Sequence, residues 1–172
     1  RHNAGFRFLG ALLAGSGQAL RHEGRFSAET VKLTVAGREV WLLAPQTFMN
    51  HSGDAVSRFV HYYKVPPAHV LVAYDELDLP PGSVRLKQGG GDGGHNGLHD
   101  VIEKLGTPEF ARLRFGIGHP GSAAQVVSYV LKRAPAAEQG LIDAAIAAVR
   151  AHIDDIVLGH YQKAMNALHA RK

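Results

Sequence analysis

The densest concentration of chemistry in this chain is Gly89-Gly90-Gly91-Asp92-Gly93-Gly94-His95-Asn96. A run with so few side chains lets a ligand's backbone lie directly against the protein's own. His95 and Asn96 then open a helix, where unpaired N–H groups favour an anionic or oxyanionic ligand. The competing reading is a turn whose Asn96 does no more than cap that helix. The glycines also spell G-x-G-x-x-G between a strand and a helix, the form of a dinucleotide fingerprint. In that fingerprint an acidic residue about 20 positions on ends a strand; here Glu109 precedes one. The run also comes late in the chain, so the pattern does not support a nicotinamide or flavin site. No G-x-x-x-x-G-K-[ST] segment occurs, which excludes a P-loop.

His95 and His99 stand four apart, a spacing that can bring two imidazoles to one metal. H-E-x-x-H is not met, and two ordinary helix histidines are the simpler reading. Asp75 closes the apolar run Val70-Leu71-Val72-Ala73-Tyr74. The carboxyl end of a sheet strand is where α/β proteins place ligands, and a carboxylate there can orient a histidine and fix its tautomer. Equally, Asp75 could open a turn ahead of Pro80-Pro81-Gly82. Asn50, just before a helix, reads by itself as a cap, and His2 by itself as an ordinary terminal residue. Lys87, Arg112 and Arg114 fall on strands around the glycine run and fit either a solvated sheet face or a phosphate-binding patch.

Several elements must position these groups. Phe6, Leu9 and Leu13 fit a short helix ended by Gly15 and Gly17. Val31, Leu33 and Val35 alternate with polar residues, and Ala36-Gly37-Arg38 turns the chain into Val40–Leu43, which predicts a hairpin. Val56, Phe59, Val60 and Tyr63 make a helical stripe stopped by Pro66-Pro67. Val70–Tyr74 predicts a strand covered on both faces, followed by a strand at Val84–Lys87 and a helix carrying Leu98, Val101, Ile102 and Leu105. Leu113, Phe115 and Ile117 should face away from Arg112 and Arg114, and Leu141–Val157 should form one long helix closed by Gly159. The alternation predicts a single three-layer α/β domain over residues 1–172, with a mixed, largely parallel sheet flanked by helices.

Composition agrees with a packed domain: 172 residues, 45% hydrophobic and 20% charged. No apolar run is long enough for a membrane span. The absence of cysteine excludes disulfide scaffolds, thiol catalysis and Cys-ligated metal. A net charge of +4 is a mild hint of a polyanionic partner.

Five ordered blocks together resemble the bacterial-type peptidyl-tRNA hydrolases. They are Arg1-His2-Asn3-Ala4-Gly5, Pro45 through Gly53, Asp75 through Gly82, Gly89 through Leu98, and Leu113 through Pro120. The resemblance implies hydrolysis of the ester joining a peptide to the terminal ribose of tRNA. It places the family's catalytic histidine at His2 and its partner aspartate at Asp75. Its substrate-binding residues fall on Asn50, Asn96, His95, Met49 and Gly93, and its clamp for a tRNA phosphate on Lys87 and Arg114. A neutral imidazole near pH 7 can take a proton from water, help worth about 10²–10⁴ in rate. Side-chain amides can position the carbonyl and its developing oxyanion. No nucleophilic serine elbow of G-x-S-x-G form is present or required.

Family members also carry an opening strand and a Gly-Leu-Gly-Asn-Pro-Gly-like loop ahead of the Arg-His-Asn block. These 172 residues begin at that block, so the expectation is a site lacking one strand and one further asparagine. The resemblance further implies a cytoplasmic monomer working without cofactor or metal, with peptidyl-tRNA as its partner. Two alternatives differ in class. A non-catalytic, splicing-factor-like RNA-binding relative would bind without cleaving. A metal hydrolase of small esters would be chelator-sensitive and indifferent to tRNA.

Overall fold

The computed structural model describes residues 4–47, 51–119 and 135–171. His2, Met49 and Asn50 lie outside the described residues. In chain order the elements are α1 (Ala4–Leu13), β1 (Arg21–Glu23), β2 (Ala28–Val35), β3 (Arg38–Pro45), α2 (Ser52–Tyr63), β4 (Leu71–Glu76) and β5 (Val84–Gln88). They continue with α3 (Asn96–Leu105), β6 (Ala111–Gly116), α4 (Ala136–Ala151), α5 (Ile153–Val157) and α6 (Tyr161–His169).

The strands form two three-stranded sheets, ordered β1-β2-β3 and β4-β6-β5. Both pairings of the first sheet are antiparallel. In the second, Ala111 and Ile117 donate to the Val70 and Glu76 carbonyls, keeping the same residue offset, so β6 runs parallel to β4. Gly89 donates to Phe110 and Gly116 to Ser83, the reversed order of an antiparallel β5–β6 pair. The protein is therefore α/β with small mixed sheets. The expected predominance of parallel pairing is not seen among the described residues, because the early strands close as a meander of hairpins instead of crossing over through helices.

The chain divides into two compact units. The first comprises Arg1–Gly15, Ala73–Leu86 and Arg112–Lys172. Its core is built from the face of β6 that the alternation predicted: Leu113, Phe115 and Ile117 are fully buried. Phe8 of α1 meets Phe115 with ring centres 5.6 Å apart, and Ile142, Ala145, Ile146 and Val149 of α4 are buried as well. Arg7 and Asp143 join α1 to α4 by an exposed 2.6 Å ion pair.

The second unit comprises Ser16–Val72 and Lys87–Ala111. Here Phe26, Ala28, Ala55 and Phe59 form a cluster against which Trp41, Leu43 and Val65 pack. The hairpin turns on Ala36 and Gly37, both at positive φ (51° and 75°), as a two-residue type I′ turn requires.

Four expectations need correction. Val70–Tyr74 is less enclosed than a continuous apolar run implies: among the described residues β4 is an outer strand of its sheet, with Tyr74 buried and the others half-buried, and the strand runs on to Glu76, past Asp75. Arg112 does not belong to a solvated face, being 1% exposed. The helix at Val56–Tyr63 stops before the proline pair. Lys64 takes a left-handed conformation (φ 53°) and its amide bonds back to the Val60 carbonyl. Finally, the single long helix is broken at His152 (φ −111°, ψ 15°). Asp154 and Asp155 suit the first turn of a new helix, where their charge meets the positive end of the dipole.

Candidate functional site

The first unit holds the candidate aspartate, Asp75. Its Oδ1 accepts a 2.9 Å hydrogen bond from the Ala4 amide, the first residue of α1. The first amides of a helix have no intrahelical acceptor, and an anion there also meets the positive end of the dipole. Gly5 allows the contact. A Cβ at that position would stand 2.7 Å from the Ala73 carbonyl oxygen, so only glycine lets α1 start directly on β4. The Arg-His-Asn block is thus followed immediately by a helix terminus pinned to β4, with Asp75 supplying the pin.

Next to Asp75 on the strand, Glu76 reaches Arg114 of β6, Oε1 to Nη1 at 3.4 Å, in a half-buried ion pair. The expected phosphate ligand Arg114 therefore already faces a carboxylate. Its Nε is buried without a hydrogen-bond partner among the described residues. Tyr74 is a poor candidate for proton transfer. Burial, and secondarily the negative charge of Glu76, push its pKa up to about 12, so the phenol keeps its proton.

In the second unit the glycine run leads into α3. Gly89, Gly90, Gly93 and Gly94 all adopt positive φ, which explains why glycine is needed there. His95, not Asn96, caps the helix: its Nδ1 accepts from the Leu98 amide at 3.0 Å. A ring nitrogen that accepts carries no hydrogen, so the neutral imidazole bears its proton on Nε2 as a donor. Asn96 is the first helical residue and is exposed, so its amide is not consumed as the cap. Lys87 is exposed near the end of β5.

His99 is held by Asp92, Nδ1 to Oδ2 at 2.8 Å, and lies near Glu103. Asp92 also accepts from the Gly94 amide, and these bonds hold its carboxyl below the usual range. His95 and His99, paired in sequence, thus have separate engagements. Among the described residues, no three of His, Asp and Glu form a group that could hold a metal ion.

Three residues escaped the sequence reading. Asp100, buried on α3, accepts from the Gly53 amide in the first turn of α2 at 2.7 Å. Glu76 engages Arg114, as described. His169 of α6 accepts the Leu86 amide through Nε2 at 3.1 Å. No local pattern announces any of them, since each partner is distant in sequence.

Fold and side chains together define an α/β protein with a carboxylate at one helix N-terminus and an imidazole and an amide at another. Comparison makes the assignment specific: the family profile described as Peptidyl-tRNA hydrolase matches residues 1–172. A peptidyl-tRNA hydrolase of Teredinibacter turnerae is 51% identical over 170 residues, covering 98% of this chain and 88% of the relative. One from Marinomonas sp. is also 51% identical, covering 100% and 89%. The crystal structure of peptidyl-tRNA hydrolase from Acinetobacter baumannii matches with TM-score 0.96 at 44% identity, covering 100% of this chain and 87% of that one. The chain belongs to the peptidyl-tRNA hydrolase family.

Proposed function

We infer that this chain hydrolyses the ester bond of peptidyl-tRNA, releasing peptide and free tRNA. The observation that carries this reading is the Asp75–Ala4 bond. It ties the Asp75 carboxylate to the backbone two residues beyond His2, where an imidazole oriented by a carboxylate is needed. In this mechanism Asp75 holds His2, and His2 takes a proton from the water that attacks the ester carbonyl. The ribose oxygen leaves with a proton, and the peptide departs as its acid. Asn50 and Asn96 bind the peptide and its carbonyl, while Met49 and Gly93 line its path. His95 offers an Nε2–H donor, consistent with its Nδ1 accepting from Leu98.

Lys87 and Arg114 bind a tRNA phosphate; for Arg114 this means exchanging or sharing its contact with Glu76. Only side chains and water take part. We further assign the 172 residues to one three-layer catalytic domain acting as a cytoplasmic monomer. No helix among the described residues is long and apolar enough to cross a membrane.

The test is incubation with a peptidyl-tRNA, comparing the parent chain, His2→Ala and an N-terminally extended version. Release of tRNA by the parent, reduced at least about 10²-fold in His2→Ala, is the expected result. Equal rates would remove His2 as the base. Binding without release by every version would favour the non-catalytic RNA-binding reading.

A further inference from the structure

We propose that the second unit carries a separate RNA-binding strip, running from Arg25 across Tyr62, Tyr63 and Trp41 to Lys32, that holds an unpaired stretch of RNA. Tyr62 and Tyr63 are 57% and 43% exposed, two of the few large hydrophobic side chains so exposed among the described residues. They are contiguous: Tyr62 meets Tyr63 at 4.8 Å between ring centres, and Tyr63 meets Trp41 at 4.9 Å. A cation closes each end. The Arg25 guanidinium carbon lies 5.0 Å from the Tyr62 ring centre, and Lys32 Nζ lies 5.8 Å from that of Trp41.

Phe26 and Phe59 belong to the buried cluster. Tyr62 lies against Phe26 (5.5 Å between ring centres) and Tyr63 against Phe59 (4.7 Å), so each tyrosine has one side on the core while more than two-fifths of it stays exposed. Lys32 does have an exposed carboxylate neighbour, Glu39 at 3.4 Å, a contact worth little in water.

The chemistry of the occupant follows from that combination. Aromatic faces and a guanidinium plane stack on any base, and flanking cations meet the phosphates on either side. A duplex keeps its bases stacked inside, so the strip suits unpaired nucleotides. A plain polyanion would use the cations and ignore the rings. Nothing in this proposal depends on His2 or Asp75, so it stands or falls separately from the hydrolytic reading.

The sequence has a single tryptophan, so Trp41 emission reports on the strip directly. We would titrate the His2→Ala chain with a short oligouridylate and with tRNA bearing no peptide. A saturable change in Trp41 emission is expected, weakening as salt rises. Tyr62→Ala should weaken oligouridylate binding by roughly 5- to 150-fold, the range for loss of one stacking platform, and Tyr62→Phe should restore it. Arg25→Ala should weaken binding and flatten its salt dependence. Unaltered emission at low salt, or equal affinity of Tyr62→Ala and parent with an unchanged melting temperature, would overturn the proposal. Heparin displacing the RNA from parent and Tyr62→Ala at the same concentration would also overturn it, leaving only a charge effect.

Discussion

The two units fasten a helix N-terminus with the same device but spend the carboxylate differently. In the first, Asp75 of β4 accepts the Ala4 amide of α1, and Gly5 brings the backbones together. In the second, Asp100 of α3 accepts the Gly53 amide of α2, and a Cβ on Gly53 would overlap the Asp100 backbone. Each fastened helix comes shortly after residues proposed for the reaction, His2 in one case and Met49 and Asn50 in the other. Asp100 is a buried side chain, 9% exposed, and sits in mid-helix, where its role is to satisfy a buried amide. Asp75 is half-buried near the end of a strand, where a carboxylate can also serve a histidine. On the proposed function, the contrast is between a cap that only holds and a cap that holds and also carries charge for chemistry.

Isosteric amides test that contrast most sharply. Asp75→Asn keeps an oxygen for the Ala4 amide and loses the negative charge, so the fold should persist while kcat falls by about 10²–10⁴. Asp100→Asn likewise keeps an acceptor for Gly53 and should leave kcat within a few-fold of the parent. If both amide variants lost activity equally at unchanged stability, the distinction between the two aspartates would be wrong. Asp100→Ala is different again. It strands a buried N–H and should lower stability by about 1–3 kcal/mol, read from chemical denaturation.

The glycines give the next largest effects. Gly5→Ala and Gly53→Ala each press a methyl onto backbone that cannot rotate aside, which should cost about 1–3 kcal/mol. Gly10→Ala is the internal control in α1, since a Cβ there would meet nothing within 4 Å. Replacing a mid-helix glycine in open space should stabilise by about 0.5–1 kcal/mol. Opposite shifts in melting temperature for positions 5 and 10 would show that close approach to β4, and not helix propensity, governs Gly5.

Much of this arrangement was legible in the sequence because it rests on local periodicity. The Leu98–Leu105 stripe of α3, the β2–β3 hairpin around Ala36-Gly37 and the buried face of β6 all follow from spacing alone. The ordered motif blocks disclosed the family, and Asp75 was marked by its place after an apolar run. What spacing could not reveal were pairings between distant residues. Ala4 and Asp75 are 71 positions apart, and Gly53 and Asp100 are 47 apart. Arg112 illustrates a second limit: alternation placed it opposite Leu113, but the sheet is covered on that side too, so a charged residue is buried. The choice of His95 over Asn96 as cap depended on where the helix begins, a boundary that composition fixes only to within a residue or two.

A third fastening in the first unit sharpens the comparison, because its acceptor is an imidazole. His169 accepts the Leu86 amide, while Arg171 donates to the Gly82 carbonyl, and together they anchor the end of α6. Partial burial, with help from the positive charges of Arg85 and Arg114, holds the His169 pKa below its ordinary value of 6.5. A group whose folded pKa is depressed binds more protons when unfolded. Its stabilisation is therefore complete above about pH 6.5 and disappears as pH falls through the lower folded value. Protonating Nε2 would also end its role as acceptor. Mild acid should therefore loosen the end of α6. Solvent around the ring limits the effect to at most about 1 kcal/mol. His169→Gln offers an acceptor that does not titrate, so its melting temperature should fall less than the parent's between about pH 7.5 and 5.5. Parallel melting curves for the two chains across that interval would mean that the imidazole plays no part in the acid response.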